Sequence, residues 1–299
     1  MHSIARLDMT EPHAPASFDA VLPPQMAAKA AEIGITKAAM PAGRLFVLGI
    51  LAGAFIALGA AFSTTSVAGA GELPYGVVRV VAGVTFCLGL ILVVVAGAEL
   101  FTGNNLIVMA WADGRVATRD VIRNWTIVYA GNFVGAVATA VLVFVSAQYT
   151  LGGGSIGATA LRIAAAKCSL SPLSAFALGV LCNALVCLAV WLCYSARSTT
   201  DKVLSIVPPI TAFVACGFEH SVANMYFVPV AILIRRFAPD SFWQATNLSA
   251  DGFSQITTAD FLVGNLLPVT LGNIVGGAVL VGAVYWFVYL RSPGGARSA

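Results

Sequence analysis

The chain has 299 residues, 59% of them hydrophobic and only 10% charged, with a mean hydropathy of +0.90 and a formal net charge of +3. A soluble domain carries roughly a quarter of its residues as charges, so this composition excludes a water-facing fold and leaves a helical protein embedded in a membrane. No basic tract is present, which removes the footprint that binding to nucleic acid needs.

Residues 1–43 form an N-terminal segment in which charges are scattered among five prolines. It has neither the unbroken apolar core nor the cleavage site of a secretory signal. Within it, PPQMAAKAAEIGITKAA (23–39) predicts a short amphipathic helix that begins at the prolines. That helix is either a surface lead into the first span or a cytoplasmic lid.

A helix needs about 20 apolar residues to cross a bilayer. Windows free of charge run over 45–71, 124–161, 168–196 and 261–290. Two more are split: 80–98 from 100–112 by Glu99, and 203–218 from 220–234 by Glu219 and His220. The pattern predicts an all-α channel domain over 44–290 with six transmembrane spans, the second and fifth broken, and a C-terminal tail at 291–299. Eleven Lys and Arg fall in the two termini and the 112–123 and 195–203 loops. Five fall opposite, at Arg79, Arg162, Lys167, Arg235 and Arg236, so both termini are expected in the cytoplasm.

The two breaks repeat one another. GAELFTGN (97–104) and GFEHSVAN (217–224) share Gly-x-Glu-x-x-x-x-Asn. GNFVGA (131–136) in the third span matches GNIVGG (272–277) in the sixth, and LGILAGAF (48–55) in the first matches LGVLCNAL (178–185) in the fourth. Each half, about 44–148 and 173–290, holds three spans, so the second enters from the opposite face as an inverted repeat. Broken helices at membrane depth free backbone groups that only protein or a watery cavity can satisfy. Two breaks at matching positions therefore meet near the midplane and line a pore, with positive half-helix ends directed at an anion. The Glu, Asn, Thr and Ser side chains, Asn104 and Asn224 among them, are candidates to cap the freed backbone.

At these residues the chain resembles the formate/nitrite transporter family. AELFTGN, CNALVCLAVW, GFEHSVANM and LPVTLGNIVGG match its motifs, and the likeness covers about residues 18–290. The bacterial formate channels are the most similar, through VLPPQMAAKAAEIGITKA, FCLGLILVVVAGAELFT and TLGNIVGGAVLVGAVYWFVYLR. TGNN after the first break departs toward nitrite channels. The resemblance implies an aquaporin-like protomer in a homopentamer of the bacterial inner membrane, each subunit with its own pore. It implies His220 facing Thr102 at the pore centre, one constriction at Phe86 and Phe213, and another at Leu90, Leu100, Phe101 and Val186. It also implies Asn183 as a polar pore residue, Lys167 in the outer vestibule, and Lys37 and Glu219 tied to an inner gate.

Several residues carry a reading of their own. A charge at mid-bilayer costs about 3 kcal/mol or more, so His220 is a functional candidate rather than a mere cap. Glu99 and Glu219 should turn from an anion's path and accept backbone N–H groups or hold a base such as Lys37. Lys167, with no acid near it in sequence, is either an anion collector or a snorkelling lysine. The cysteines, Cys87, Cys168, Cys182, Cys187, Cys193 and Cys216, include no Cys-x-x-Cys pair and are expected as small buried hydrophobes. No metal or cofactor is expected. The expected activity is pH-dependent passage of a small monovalent anion, formate first, with protons and membrane lipid as the other partners. Nitrite or hydrosulfide is the alternative. The Asn-Pro-Ala pair of water channels is absent, and an embedded enzyme lacks a catalytic partner set.

Overall fold

The computed structural model describes residues 19–71 and 73–291, and every regular element among them is helical. The first part of the N-terminal segment and the tail beyond Arg291 lie outside the described residues. α1 (Pro23–Ala38) begins at its prolines, as the sequence predicts, and buries Met26, Ala27, Ala30, Ala31, Gly34 and Ala38. α2 (Ala42–Ser66) and α3 (Tyr75–Ala96) follow. α3 stops at Gly97, whose φ of +83° only glycine adopts without strain. After an extended stretch the chain resumes as α4 (Phe101–Asn104), a 3₁₀ turn (Asn105–Ile107) and α5 (Val108–Ala112).

α6 (Thr118–Val145) closes the first half, and the second repeats its order. α7 (Ser155–Cys168) stands where α1 stood, and α8 (Pro172–Ser195) is started by Ser171, whose hydroxyl accepts from the Ser174 amide. α9 (Thr199–Ala215) opens with a capping box between Ser198 and Asp201. The turn that ends it holds Gly217 at φ +75°, the counterpart of Gly97. α10 (Ser221–Phe237) and α11 (Asp240–Thr246) follow. The last crossing combines π-helical stretches (Asp260–Leu266, Val275–Ala283) with α12 (Leu267–Ile274) and α13 (Val284–Tyr289).

Five helical stretches are long and apolar enough to span a bilayer: 42–66, 75–96, 118–145, 172–195 and 260–289. A sixth candidate is the bent pair α10 and α11, and the break expected at Glu219 and His220 falls between α9 and α10. α9 alone has 17 residues, about 26 Å at 1.5 Å per residue, and the chain continues through the break into α10. α10 then turns by 109° into α11. The outer surface is apolar, with Leu142, Val145 and Leu173 all at least 69% exposed, as a lipid-facing wall requires.

Close backbone approach holds the halves together in the same way. A β-carbon on Gly135 of α6 would overlap the carbonyl oxygen of Ile50 on α2, and one on Gly276 would overlap that of Val180 on α8. The cysteine expectation needs correction. Cys87, Cys182, Cys187 and Cys193 are buried, but Cys168 is only partly so and Cys216 is exposed. Cys216 caps the end of α9 at the break instead of sitting on a packed helix face.

Candidate functional site

Each break is stitched down by one asparagine from the long helix beside it. Asn132 of α6 accepts from the Phe101 amide at 2.9 Å and donates to the carbonyls of Gly49 and Glu99 at 2.8 and 2.9 Å. Asn273 of α12 accepts from the Ser221 amide at 2.9 Å and donates to Gly179 and Glu219 at 2.8 and 3.0 Å. Both asparagines are fully buried. These bonds satisfy backbone groups that a broken helix exposes where water is scarce.

A second asparagine on each long helix ties in the short one. Asn124 donates to the Lys37 carbonyl at the end of α1, and Asn265 to the Lys167 carbonyl at the end of α7. Asn104 then bridges Glu99 and Asn124, while Asn224 bridges Glu219 and Asn265. A lysine completes each cluster: Lys37 Nζ lies 2.7 Å from Glu99, and Lys167 Nζ lies 2.8 Å from Glu219. The correspondence thus reaches back beyond residues 44 and 173 to include α1 and α7. None of these four asparagines, two on α6 and two on the last crossing, stood among the expected site residues. The signal was present as Asn-x₇-Asn in NWTIVYAGN (124–132) and NLLPVTLGN (265–273).

Two cavities approach each other along α3. One, of about 420 Å³, is lined by Arg79, Phe86, Arg162, Lys167, Phe213, Glu219, His220 and Phe227. The other, of about 390 Å³, is lined by Lys29, Lys37, Leu90, Glu99, Leu100, Tyr194 and Lys202. Phe86 and Leu90 are one helical turn apart on α3, so roughly 6 Å of helix separates the cavity linings. Phe86 and Phe213 meet edge to face at 5.5 Å between centroids, and Phe86 stacks on Phe227 at 6.5 Å. Leu90 and Leu100 are 2% and 3% exposed, so the path is greasy and narrow on both sides.

His220 lies where the two breaks meet. Its Nε2 is 3.0 Å from Thr102 Oγ1, and its Nδ1 accepts the Ala223 amide at 3.1 Å. Because Nδ1 must keep a lone pair for that amide, the neutral ring carries its proton on Nε2 and donates it to Thr102. A doubly protonated ring would set two N–H groups face to face. Phe213 stacks beside the ring at 5.9 Å.

Other expected roles are changed by the structure. Glu99 and Glu219 line cavities, and Glu99 holds Lys37 as expected; each carboxylate is bound by a lysine and by asparagine amide N–H. Lys167 does line its vestibule, yet it does not stand apart from acids, because the break brings Glu219 to it. Glu219 lines the opposite cavity from Lys37, so the two share no single gate. Asn183 is fully buried and lines neither cavity; its amide donates to Thr102, Asn105 and Asn273, tying α8 to both halves. Phe101 and Val186 also line neither. Phe101 packs edge to face on Trp125 and Tyr129.

Comparison with known proteins agrees with this geometry. A family model described as formate/nitrite transporter matches residues 24–287. The chain is 45% identical over 274 residues to the formate channel FocA of Escherichia coli strain K12, covering 92% of this chain and 96% of that one. It is 39% identical to a probable formate transporter of Methanothermobacter thermautotrophicus, covering 90% and 97%. A solved structure titled as a pentameric formate channel with formate bound superposes with a TM-score of 0.80 at 46% identity, covering 84% of this chain and 98% of that one.

Proposed function

The chain belongs to the formate/nitrite transporter family, and on that premise we propose that it passes formate, singly charged, through a pore in each protomer of a homopentamer, at a rate set by pH through His220. The observation that carries this reading is one buried imidazole, lining the Lys167 cavity and bonded to Thr102 of the other break, with the apolar Phe86, Leu90 and Leu100 between it and the Lys37 cavity. The formate-bound, pentameric title of the superposable structure supports both substrate and assembly. Both termini face the cytoplasm of a bacterial inner membrane, which puts the Lys37 cavity inside and the Lys167 cavity outside.

A bare anion cannot cross such slits cheaply, since burying an unpaired charge costs many kcal/mol. A simple carboxylate has a pKa near 4, so neutralising it at pH 7 costs only about 4 kcal/mol. The imidazole between these slits can turn its Nε2–H from Thr102 to a carboxylate oxygen. The pore therefore handles formate beside one group able to balance its charge or exchange a proton with it. Thr102, which belongs to the Lys37-side half-helix α4, is the ring's hydrogen-bond partner.

The Thr102–His220 pair has the spacing of a nucleophile and its base, but the tautomer is wrong for that work. With Nδ1 engaged by the Ala223 amide, the neutral ring's Nε2 holds a proton and cannot accept the one on threonine. Transport, not hydrolysis, is the chemistry this contact serves. Gly103 on the Lys37 side, the residue through which the chain resembles nitrite channels, leaves room beside Val190 for another β-carbon, and nitrite is the alternative substrate. Reconstituted protein should carry formate fastest, nitrite next, and acetate least; acetate passing as fast as formate would sink the assignment.

A further inference from the structure

Each cavity is lined by three bases and one carboxylate, but the bases are not equivalent. In the Lys167 cavity these are Arg79, Arg162, Lys167 and Glu219; in the other they are Lys29, Lys37, Lys202 and Glu99. Lys167 and Lys37 are bound to the carboxylates at 2.8 and 2.7 Å, so seen from a distance each pair is nearly neutral. An incoming anion would have to displace a carboxylate that the protein itself holds in place. Arg79 gives its guanidinium to the carbonyls of Val214 and Ala215, which end α9 and carry that helix's negative pole. Lys29 donates to the Tyr194 carbonyl in the last turn of α8.

Two bases remain. Arg162, exposed on α7, and Lys202, partly buried on α9, line the two cavities with side chains that have no protein partner among the described residues. We propose that Arg162 and Lys202 collect the anion at the two mouths, while Lys167 and Lys37 brace the broken helices. This rests on the transport reading above and adds the residues that set its substrate affinity. A free guanidinium also offers a planar fork that matches both oxygens of a carboxylate, so Arg162 selects for formate as well as steering it. Lys202 acts as a point charge and attracts small anions without that shape preference.

The test is formate flux against formate concentration in proteoliposomes, for the wild type, Arg162→Gln, Lys202→Gln, the double variant and Lys167→Gln, each checked for an intact oligomer by gel filtration. At about 10 mM salt, where charges act over roughly 30 Å, Arg162→Gln should raise the half-saturating formate concentration about threefold or more, within the range that electrostatic focusing supplies. The double variant should exceed either single one, and maximal flux should fall less than affinity. At about 1 M salt, where screening acts within roughly 3 Å, the difference should shrink. Arg162→Lys should restore the steering but leave formate less favoured over chloride. Wild-type half-saturation in the double variant at low salt would overturn the proposal, as would a larger affinity shift in an intact Lys167→Gln oligomer. Absence of formate flux in the wild type would overturn the transport reading and this inference with it.

Discussion

At the first break the chain reads Gly-Ala-Glu-Leu and at the second Gly-Phe-Glu-His, so Leu100 and His220 occupy the same step of the two halves. Their backbones match: φ and ψ are −105° and 125° at Leu100, and −107° and 114° at His220. The asparagines, the carboxylate and the lysine around them are the same. The fold therefore tolerates leucine at this step and does not require histidine. An internal control of this kind separates function from structure without any other sequence. On the transport reading proposed above, the asparagines hold the broken helices and the imidazole is left to serve the passing anion.

The two clusters also differ in how the lysine is held. Lys37 binds both Glu99 and Asn104, whereas Lys167 binds Glu219 alone and leans over the Phe227 ring at 5.4 Å. On the second side the Asn224 carbonyl oxygen is buried with no partner. The Lys37 brace is thus the more fully bonded of the two.

The largest expected effect tests whether the halves are equivalent. Asn132→Ala and Asn273→Ala each leave two buried backbone groups at a break unpaired, roughly 2 to 6 kcal/mol at 1–3 per group. Both should lose most folded oligomer in detergent, to similar extents. If one variant kept wild-type thermal stability, the repeat would not be functionally symmetric.

Next come the braces. Lys37→Met and Lys167→Met each strand a carboxylate that is under a tenth exposed, at roughly 3–5 kcal/mol. The loss should be greater for Lys37→Met by about 1 kcal/mol, the net worth of its extra bond to Asn104. Equal melting temperatures would erase the inferred difference between the braces. Removal of residues 1–39 takes Lys37 away with α1 and should resemble Lys37→Met. A truncation through Ala39 that matched the wild type in both stability and pH response would rule out α1 as either brace or lid.

Thr102→Val should have the smallest effect on stability, about 1 kcal/mol for one hydrogen bond, because Val222 already occupies the matching step of the other half. Its signature should be in transport, as a lower formate flux at unchanged oligomer yield. A flux equal to the wild type's would show that Thr102 only packs.

Much of this was legible in the sequence because charge is so rare in it. Glu99 and Glu219 interrupt long apolar runs, so the breaks, their repeat and the isolated imidazole could be placed from spacing alone. What spacing could not give was pairing across the bundle. Lys167 had no acid near it in sequence, and only the fold brings Glu219 from 52 positions away. Asn124, Asn132, Asn265 and Asn273 were hidden for another reason. A neutral asparagine does not interrupt a charge-free run, and its importance lies in which carbonyl it reaches. The π-helical stretches of the last span were invisible too; in the second of them Gly276 and Gly277 pack closely on α8.

The central claim is that His220 serves the passing anion, and His220→Asn tests it most directly. Asparagine is a strong helix N-cap and its side-chain oxygen can accept the Ala223 amide, so the half-helix should stay capped. It cannot titrate. Formate flux should be measured for wild type and variant at several pH values from about 5 to 8, the interval in which histidine ordinarily changes charge, with oligomer yield determined on the same samples. The account predicts normal yield and a flux that no longer varies with pH across that interval. An intact oligomer whose flux follows the wild-type pH profile would contradict it.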